Sequence, residues 1–372
     1  MDGALVAGAL WVVSLGWLLA MSGLALLQPL RRRSAPSPIE LPAVSIVMPT
    51  SAVESARTGA DRLATLRSLL ALETGQSEIV VCFDRGEPQR AVAEQLTAES
   101  RLVRVIDGGS GQSSANAKVD AMACGVDAAR HDVLLFSDDD VRLDRSHYAR
   151  MAAQWGPGVG LVSAAAVGTD PGNLWGEVEL FLMNCQFARL HLAGDFLGLG
   201  GVLGKSILVR RADLGRAGGV FPTGRDCCED AALTQSFAAI GLRTVLGDRV
   251  VRQPIGRARF VDVWRRHRRW LSCRRKYIPA TFACEALFCA PVACLAGAVA
   301  FAPLTGALAG ALGTAALWCA VDCLFIMAKR WHFGPLTPLA WVVRELIFLP
   351  LWAAALFART VNWYGRLVPV VD

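Results

Sequence analysis

The stretch that decides the fold is Asp132-Val-Leu-Leu-Phe-Ser-Asp-Asp-Asp-Val141. Its apolar run from Val133 to Phe136 predicts a buried strand, and three consecutive carboxylates follow it. In an extended chain residues i and i+2 point the same way, so we expect Asp138 and Asp140 to converge while Asp139 faces elsewhere. Two carboxylates at such a short distance repel each other, so the pair predicts a hard divalent cation between them. Such a cation would in turn favour binding of a diphosphate. Taken alone, a triplet of this kind is more often a solvated acidic loop.

The segments around this stretch predict an open, mostly parallel α/β sheet. Apolar runs at 44–49, 78–83 and 102–106 have the composition of strands, and helical patterns separate them. Strands that alternate with helices form parallel βαβ units, whose ligands lie beyond the carboxyl ends of the strands. Asp84 and Asp138 each follow a strand directly. We therefore expect both acids at a ligand-binding edge of the sheet.

The two ends of the chain are too apolar for a plain soluble enzyme. Hydrophobic residues make up 53% of the 372 residues, and the segment from Ala4 to Leu30 carries no charge. That length is enough to cross a bilayer once. The arginines at 31–33 follow at once, which predicts that the next segment is cytoplasmic. Further apolar stretches at 288–301, 304–327 and 339–357 predict more membrane segments.

Charged residues in the apolar C-terminal part bear on its topology. If all three trailing segments spanned the membrane, Arg359 and Arg366 would lie outside, against the positive-inside tendency. We therefore expect one segment to be interfacial or re-entrant. Asp322, Arg344 and Glu345 lie within these stretches, where ionisable groups are often functional. By themselves they would suit a transporter or a non-catalytic membrane scaffold.

Several other kinds of site are disfavoured. The stretch Gly198-Leu-Gly-Gly-Val-Leu-Gly-Lys-Ser206 resembles a P-loop, but Leu199 stands where the first glycine is needed and no strand precedes it. The 11 cysteines include no C-x-x-C pair, which argues against a zinc site. The net charge of +6 is modest and is concentrated at 265–276, so we expect no nucleic-acid partner.

A predicted helix over 262–277 combines basic and aromatic side chains. Arg266 and Arg269 lie three residues apart on one face, and Trp270 joins Arg266 at the i+4 position. One interpretation is a helix that lies on anionic lipid head groups. The other is a clamp on a diphosphate beside an aromatic platform. The two interpretations are compatible.

Four elements occur along the chain in a fixed order: Asp84, the triplet from Asp138, Glu229-Asp230, and Arg266-x-x-Arg269-Trp270. Together they resemble the D, D, D, (Q/R)xxRW signature of membrane-bound family 2-like glycosyltransferases with a GT-A fold. Finer motifs are similar to those of the ceramide glucosyltransferases within that group. These motifs are Asn116-Ala-Lys118, Gly204-Lys-Ser206, Arg210-Arg-Ala-Asp213, Ala217-Gly-Gly219, Pro279-Ala-Thr281 and Trp363-Tyr-Gly-Arg366. The resemblance covers almost the whole chain.

The resemblance implies a role for each matching residue. Asp230 matches the catalytic base. Asp138 and Asp140 match the acids that hold a divalent metal, Mg²⁺ or Mn²⁺, with the donor diphosphate. Residues on the side of the UDP-sugar donor are Asp84, which matches the acid that contacts uridine, Asn116, Lys118 and Asp138. Residues on the diphosphate and acceptor side are Arg266, Arg269 and Trp270.

The implied activity is inverting transfer of a hexose, glucose by resemblance, from a UDP-sugar to the primary hydroxyl of ceramide. The alternatives are transfer to another membrane lipid such as a hopanoid, or a non-catalytic scaffold, which leaves the four-part signature unexplained. The implied location is the inner membrane of a bacterium, with a cytoplasmic catalytic domain. The expected segments are an N-terminal anchor at 1–33, a GT-A domain at 40–260, a basic amphipathic interfacial helix at 261–280 and transmembrane or interfacial segments at 281–372.

Overall fold

The computed structural model describes residues 3–31, 40–50, 61–83, 89–107, 114–363 and 366–370. The predicted donor-side residue Asp84 lies outside this range. The chain forms two compact units, each discontinuous in sequence, whereas the predicted segments are contiguous. The helical unit comprises Met1–Leu27, Gly168–Ala193 and Ile255–Arg359. The sheet unit comprises Gln28–Val167, Gly194–Pro254 and Thr360–Asp372.

The described strands are, in chain order, β1 (Val44–Thr50), β2 (Ser77–Phe83), β3 (Val103–Asp107), β4 (Val133–Ser137), β5 (Val159–Ser163), β6 (Ala166–Pro171), β7 (Ser206–Arg210), β8 (Arg243–Leu246), β9 (Val251–Gly256), β10 (Thr360–Trp363) and β11 (Arg366–Pro369). Seven of them form one sheet in the order β3-β2-β1-β4-β7-β5-β8. Two-stranded sheets pair β6 with β9 and β10 with β11.

The described α-helices are α1 (Gly3–Arg31), α2 (Arg62–Leu70), α3 (Gln89–Glu99), α4 (Ala117–Ala128), α5 (His147–Ala152), α6 (Leu174–Phe181), α7 (Arg189–Phe196), α8 (Arg211–Arg216), α9 (Glu229–Ala239), α10 (Phe260–Tyr277), α11 (Pro279–Leu287), α12 (Ala290–Thr305), α13 (Ala307–Ala328) and α14 (Thr337–Leu356). A π-helical segment, Leu182–Ala188, joins α6 to α7, and a 3₁₀-helix forms at Phe221–Arg225.

The seven-stranded sheet is mostly parallel, as predicted. Strands β1 to β4 pair in parallel, as do β5 and β8, while β7 runs antiparallel to both of its neighbours. The predicted strands at 44–49, 78–83, 102–106 and 133–136 correspond to β1, β2, β3 and β4. Because β1, β2 and β4 are parallel, their carboxyl ends share one edge of the sheet, where ligands of such sheets bind.

Helix α4 lies close against the sheet because it carries a glycine at the contact. A Cβ on Gly125 would lie 2.3 Å from Cγ1 of Val47 and 2.9 Å from Sγ of Cys82. Any larger residue would therefore push the helix away from β1 and β2. In a βαβ unit the helix begins at the carboxyl edge of the sheet. The close packing thus fixes the first turn of α4, with Asn116 and Lys118, at that edge.

The helical unit contains the apolar helices that the sequence predicts near both ends. Helices α1, α13 and α14 are each long and apolar enough to cross a membrane. Helices α11 and α12 pass the same test only as a pair, and the pair is bent by 43° at the break between them. A bent pair of this kind is either a broken span or a re-entrant loop.

Candidate active site

Asp138 and Asp140, which follow β4, converge as the sequence predicts, and the group that they share is the ammonium of Lys205. Nζ of Lys205 lies 3.2 Å from Oδ2 of Asp138 and 2.8 Å from Oδ1 of Asp140. Asp139 faces another group, since its Oδ2 accepts a hydrogen bond of 3.1 Å from Nε of Arg62. Lys205 reaches the acids because it directly precedes β7, whose first residue pairs with the last residue of β4.

A second lysine links Asp138 to Glu229. Nζ of Lys118 lies 2.8 Å from Oδ1 of Asp138 and 2.9 Å from Oε1 of Glu229. The Asn116 side chain caps α4 by accepting a 3.0 Å hydrogen bond from the Lys118 amide, and it donates to Oε2 of Glu229 at 3.2 Å. These contacts form a continuous series of alternating charges, which we call the acid–lysine chain: Glu229, Lys118, Asp138, Lys205 and Asp140.

The two lysines keep Asp138 ionised despite its burial. Burial raises the pKa of this carboxyl, but the charges of Lys118 and Lys205 outweigh that effect, so the pKa is lowered overall. Lys118 is itself only 3% exposed. Buried charges of this kind are stable only when they are paired, and the acid–lysine chain supplies the pairing.

Asp230, the predicted base, sits at the start of α9 beside this chain. Its Oδ2 accepts a hydrogen bond of 2.9 Å from the Gly204 amide, and its Oδ1 accepts one of 2.8 Å from Sγ of Cys228. Burial raises the pKa of Asp230, and the neighbouring charge of Glu229 raises it further. A carboxylate with a raised pKa holds a proton more strongly, which suits a general base.

Gly204 leaves room for this arrangement. A Cβ at this position would lie 3.1 Å from Nζ of Lys118 and 3.4 Å from Oδ2 of Asp230. The first of these contacts is tighter than ordinary packing, so a side chain at this position would press on Lys118. The sequence motif Gly204-Lys-Ser206 therefore supplies both the close backbone approach and the cation that the two acids share.

The acid pair has the chemistry for a divalent cation. Asp138 and Asp140 converge on one point, and carboxylate oxygens suit Mg²⁺ and Mn²⁺. Within the described residues there is no group of three or more His, Cys, Asp or Glu side chains arranged to hold a metal ion. Mg²⁺ is commonly held by one or two carboxylates together with substrate phosphates. The two carboxylates therefore suit a metal that binds with a diphosphate, and that metal would have to displace the Lys205 ammonium from between them.

Three further residues make contacts at the site although the sequence analysis assigned them no role. Lys205 and Arg366 belong to motifs of the resemblance, but neither had an assigned function. Gln253 had no sequence signal, and its Nε2 donates to Oδ2 of Asp140 at 2.7 Å. Nη1 of Arg366, in β11, donates to Oδ2 of Asp120 at 2.8 Å and to the Ser114 carbonyl at 2.7 Å. The C-terminal hairpin thus holds the first turn of α4.

The basic helix α10 lies in the helical unit, whereas the acid–lysine chain lies in the sheet unit. Nη1 of Arg266 donates to Oε1 of Glu179 at 2.6 Å. Burial raises the pKa of Glu179, but Arg266 outweighs it and the pKa falls to about 2. Trp270 stacks on Phe187 with ring centroids 4.6 Å apart. Arg269 is buried, so it is not one of a set of interchangeable surface charges.

Comparison with known proteins gives a consistent result. The model of glycosyl transferase family 21 matches residues 10–371. Ceramide glucosyltransferase 1 of Caenorhabditis elegans is 22% identical over 264 residues, which cover 69% of this chain and 55% of that protein. The chain therefore spans about half the length of this curated relative.

Solved structures resemble the chain mainly in fold. A mannosyltransferase from Pyrobaculum calidifontis, solved in complex with GDP-mannose and Mn²⁺, is 16% identical with a TM-score of 0.51, covering 94% of this chain and 99% of its own. Glucosyl-3-phosphoglycerate synthase from Mycobacterium tuberculosis is 16% identical with a TM-score of 0.38, covering 62% of this chain and 79% of its own. The first likeness confirms the predicted GT-A-like glycosyltransferase fold.

Proposed function

The chain belongs to glycosyl transferase family 21, and from that premise we propose that it transfers a hexose, glucose in the first instance, from a UDP-sugar to the primary hydroxyl of ceramide. The family supports sugar transfer, and the similarity to a ceramide glucosyltransferase supports the acceptor. The observation that carries the proposal is the position of the partly exposed Asp230 beside the acid–lysine chain, because a base there adjoins a site for a charged leaving group.

Asp230 serves as the general base. An alcohol is a poor nucleophile, so a base must take its proton as the new bond forms. The hydrogen bonds from the Gly204 amide and from Sγ of Cys228 hold the carboxylate in place. Attack on the face of the sugar opposite to the leaving UDP gives a β-glycoside from an α-linked donor. A single inverting step therefore needs one general base and forms no covalent intermediate with the protein.

The acid–lysine chain serves the leaving diphosphate. Asp138 and Asp140 would hold Mg²⁺ or Mn²⁺, which would stabilise the negative charge that builds up on the leaving UDP. Lys118 and Lys205 provide two further ammonium groups among these acids. Asn116 positions Lys118 through the cap of α4. Asp84 is proposed to contact uridine.

Roles are also proposed for three residues of α10. Arg266 and Arg269 are proposed to bind the diphosphate, since guanidinium groups meet two phosphate oxygens at once. Trp270 is proposed to contact the acceptor. The proposed location is the inner membrane of a bacterium, with the sheet unit on the cytoplasmic side and α10 at the membrane interface.

The test is turnover by the purified full-length protein in detergent. We expect release of UDP from UDP-glucose when ceramide and Mg²⁺ or Mn²⁺ are added, with a hexosylceramide detected by mass spectrometry. The matched control is Asp230→Asn, which keeps the shape of the side chain and removes its basicity. Transfer to a hopanoid but not to ceramide would replace the acceptor. An equal rate in the Asp230→Asn variant would overturn the mechanism.

A further inference from the structure

A cavity lies inside the helical unit, among apolar helices that are candidates to cross a membrane. Its volume is about 40 Å³, and its aromatic lining comes from Trp17, Phe288, Trp318 and Phe348. Charged side chains from α7, α11 and α14 also line it. Ionisable groups among membrane helices are costly and commonly mark a functional site.

The charges around the cavity are organised about Asp322, which is fully buried. Its carboxylate accepts hydrogen bonds from Nη1 of Arg189 at 2.6 Å, Nη2 of Arg344 at 2.9 Å and Nε1 of Trp341 at 3.1 Å. Glu345 pairs with Arg344 as well. This cluster holds two arginines and two acids.

A further ion pair near the cavity also joins one arginine to one acid. Nε of Arg274 donates to Oε2 of Glu285 at 2.9 Å, and Glu285 lines the cavity. The ionisable groups around the cavity therefore comprise three arginines and three acids. A charged ligand would add an unbalanced charge to these three arginines and three acids. An uncharged polar ligand would keep the charges balanced.

Two polar atoms of the lining, Nε of Arg344 and Oε1 of Glu285, have no hydrogen-bond partner within the described residues. Within the part of the chain that the structure describes, Nε of Arg344 donates no hydrogen bond. The residue is only 4% exposed, so this N–H group is also shielded from water. A buried donor needs an acceptor, and an oxygen of a ligand in the cavity would supply one.

The cavity also adjoins a broken helix. Helix α11 ends at Leu287, α12 begins at Ala290, and the pair is bent by 43°. Residues 288–290, at the break, line the cavity. Non-helical backbone at membrane depth is tolerated where it is buried in protein or lines a cavity, and membrane proteins use such breaks to bind substrates.

We propose that this cavity binds the polar head of an uncharged lipid that carries a hydroxyl or amide group, with one of its oxygens accepting from Nε of Arg344. The aromatic lining packs against the first carbons of the chain. The inference rests on the proposed function, because the lipid it names is of the acceptor's class. The cavity's volume of about 40 Å³ suits a small polar group such as one hydroxyl or amide, and the rest of the lipid lies outside it.

The test uses the full-length protein in nanodiscs and a short-chain N-acyl sphingoid base with a diazirine group near the head. We expect photocrosslinks in peptides that contain Met21 or Phe288, which line the cavity. An unlabelled neutral ceramide should displace the probe, whereas anionic phosphatidylglycerol should not. Equal displacement by both lipids would overturn the assignment of an uncharged head.

A matched pair of variants tests the position of the site. Ala290 and Ala296 are both buried in α12, but only Ala290 lines the cavity. Ala290→Val should lower crosslinking and raise the KM for the acceptor by about tenfold, as added methyl groups do in a tight apolar pocket. Ala296→Val should change neither, and hydrolysis of the UDP-sugar without acceptor should be equal in both variants.

The outcomes separate this inference from the proposed function. If both alanine variants behave alike and the crosslinks map elsewhere, the cavity is not the lipid site, whether or not ceramide is glycosylated. If the probe crosslinks at the cavity and no sugar is transferred to it, the cavity site stands and the proposed acceptor is wrong. Arg344→Lys tests the role of Nε, because it keeps the positive charge and removes that donor. We expect it to weaken binding of the probe.

Discussion

Lys118→Met removes the cation at the centre of the acid–lysine chain while keeping the side chain's length. The Lys118 ammonium lies 2.8 Å from Asp138 and 2.9 Å from Glu229, and it is 3% exposed. The variant therefore leaves two buried carboxylates without their shared partner. We expect a large loss of stability even before any substrate is added.

The size of the loss follows from the distances and the burial. At an effective dielectric constant of about 20, opposite unit charges about 2.8 Å apart attract by about 6 kcal/mol. Desolvation offsets much of that attraction in the intact protein, but removal of one partner from a buried ion pair typically costs about 3–5 kcal/mol. Asp138 keeps Lys205 and Glu229 keeps Asn116, which places the expected loss toward the lower end of that range.

Thermal unfolding of the purified protein in EDTA, without donor, measures this loss. For a unit of 150–250 residues each kcal/mol lowers Tm by about 2–4 °C, so a loss of about 3 kcal/mol predicts a fall of roughly 6–12 °C. The control is Arg67→Met, which removes an equally short pair with Glu99, at 2.9 Å, whose arginine is 63% exposed; its Tm should stay near that of the wild type. Equal shifts in the two variants would refute the view that the buried acids depend on Lys118.

Four further results are expected. Asp138→Ala should abolish UDP-sugar turnover and weaken UDP binding in Mg²⁺ or Mn²⁺, and full wild-type activity in EDTA would remove the metal from the mechanism. Asp230→Asn should keep donor binding and lower kcat by roughly 100-fold or more. Because the pKa of Asp230 is raised from 3.8 and the base must be unprotonated, turnover should fall as the pH drops through a value above 3.8, and Asp230→Asn should lose that acidic limb. Arg269→Lys should lose most turnover while Arg265→Lys, at an exposed position of the same helix, does not, and equal losses would favour a simple lipid-surface helix. Arg366→Lys should raise the KM for the UDP-sugar more than it lowers kcat, since the hairpin acts through α4; an unchanged KM would count against that link.

The sheet could be predicted from the sequence because its signals are local. The apolar runs of β1 to β4 are short, are bounded by polar residues and alternate with helical patterns, and each of these features depends only on neighbouring residues. The same holds for the acids at 138–140, whose alternation follows from extended geometry. Both predictions are confirmed by the structure.

Contacts between distant segments could not be predicted in the same way. The partner that Asp138 and Asp140 share is Lys205, which an antiparallel strand pairing brings to β4 from far along the chain. Arg274 is a second residue whose environment could not be predicted from the sequence. In sequence it is one more charge of α10, yet it is buried and pairs with Glu285, so it does not serve as a surface control for Arg269.

The expected membrane topology also depends on a contact between distant segments. Arg366 bonds Asp120, so the C-terminal hairpin lies on the same side of a membrane as the sheet. The chain between the sheet unit and this hairpin must then cross the membrane an even number of times. If α13 and α14 are the two spans, we expect the bent pair α11–α12 to be re-entrant. A C-terminal tag labelled from the side opposite the sheet would contradict this topology.

The charge of the acid–lysine chain explains why a metal and a diphosphate would bind together. With Asp230, the group holds four carboxylates against the two ammonium groups of Lys118 and Lys205. Two negative charges are left when Asp230 is ionised, and a divalent cation balances them. A diphosphate without a metal would add negative charge to an already negative site, which is unfavourable where the charged groups are shielded from water. Donor binding should therefore require the metal.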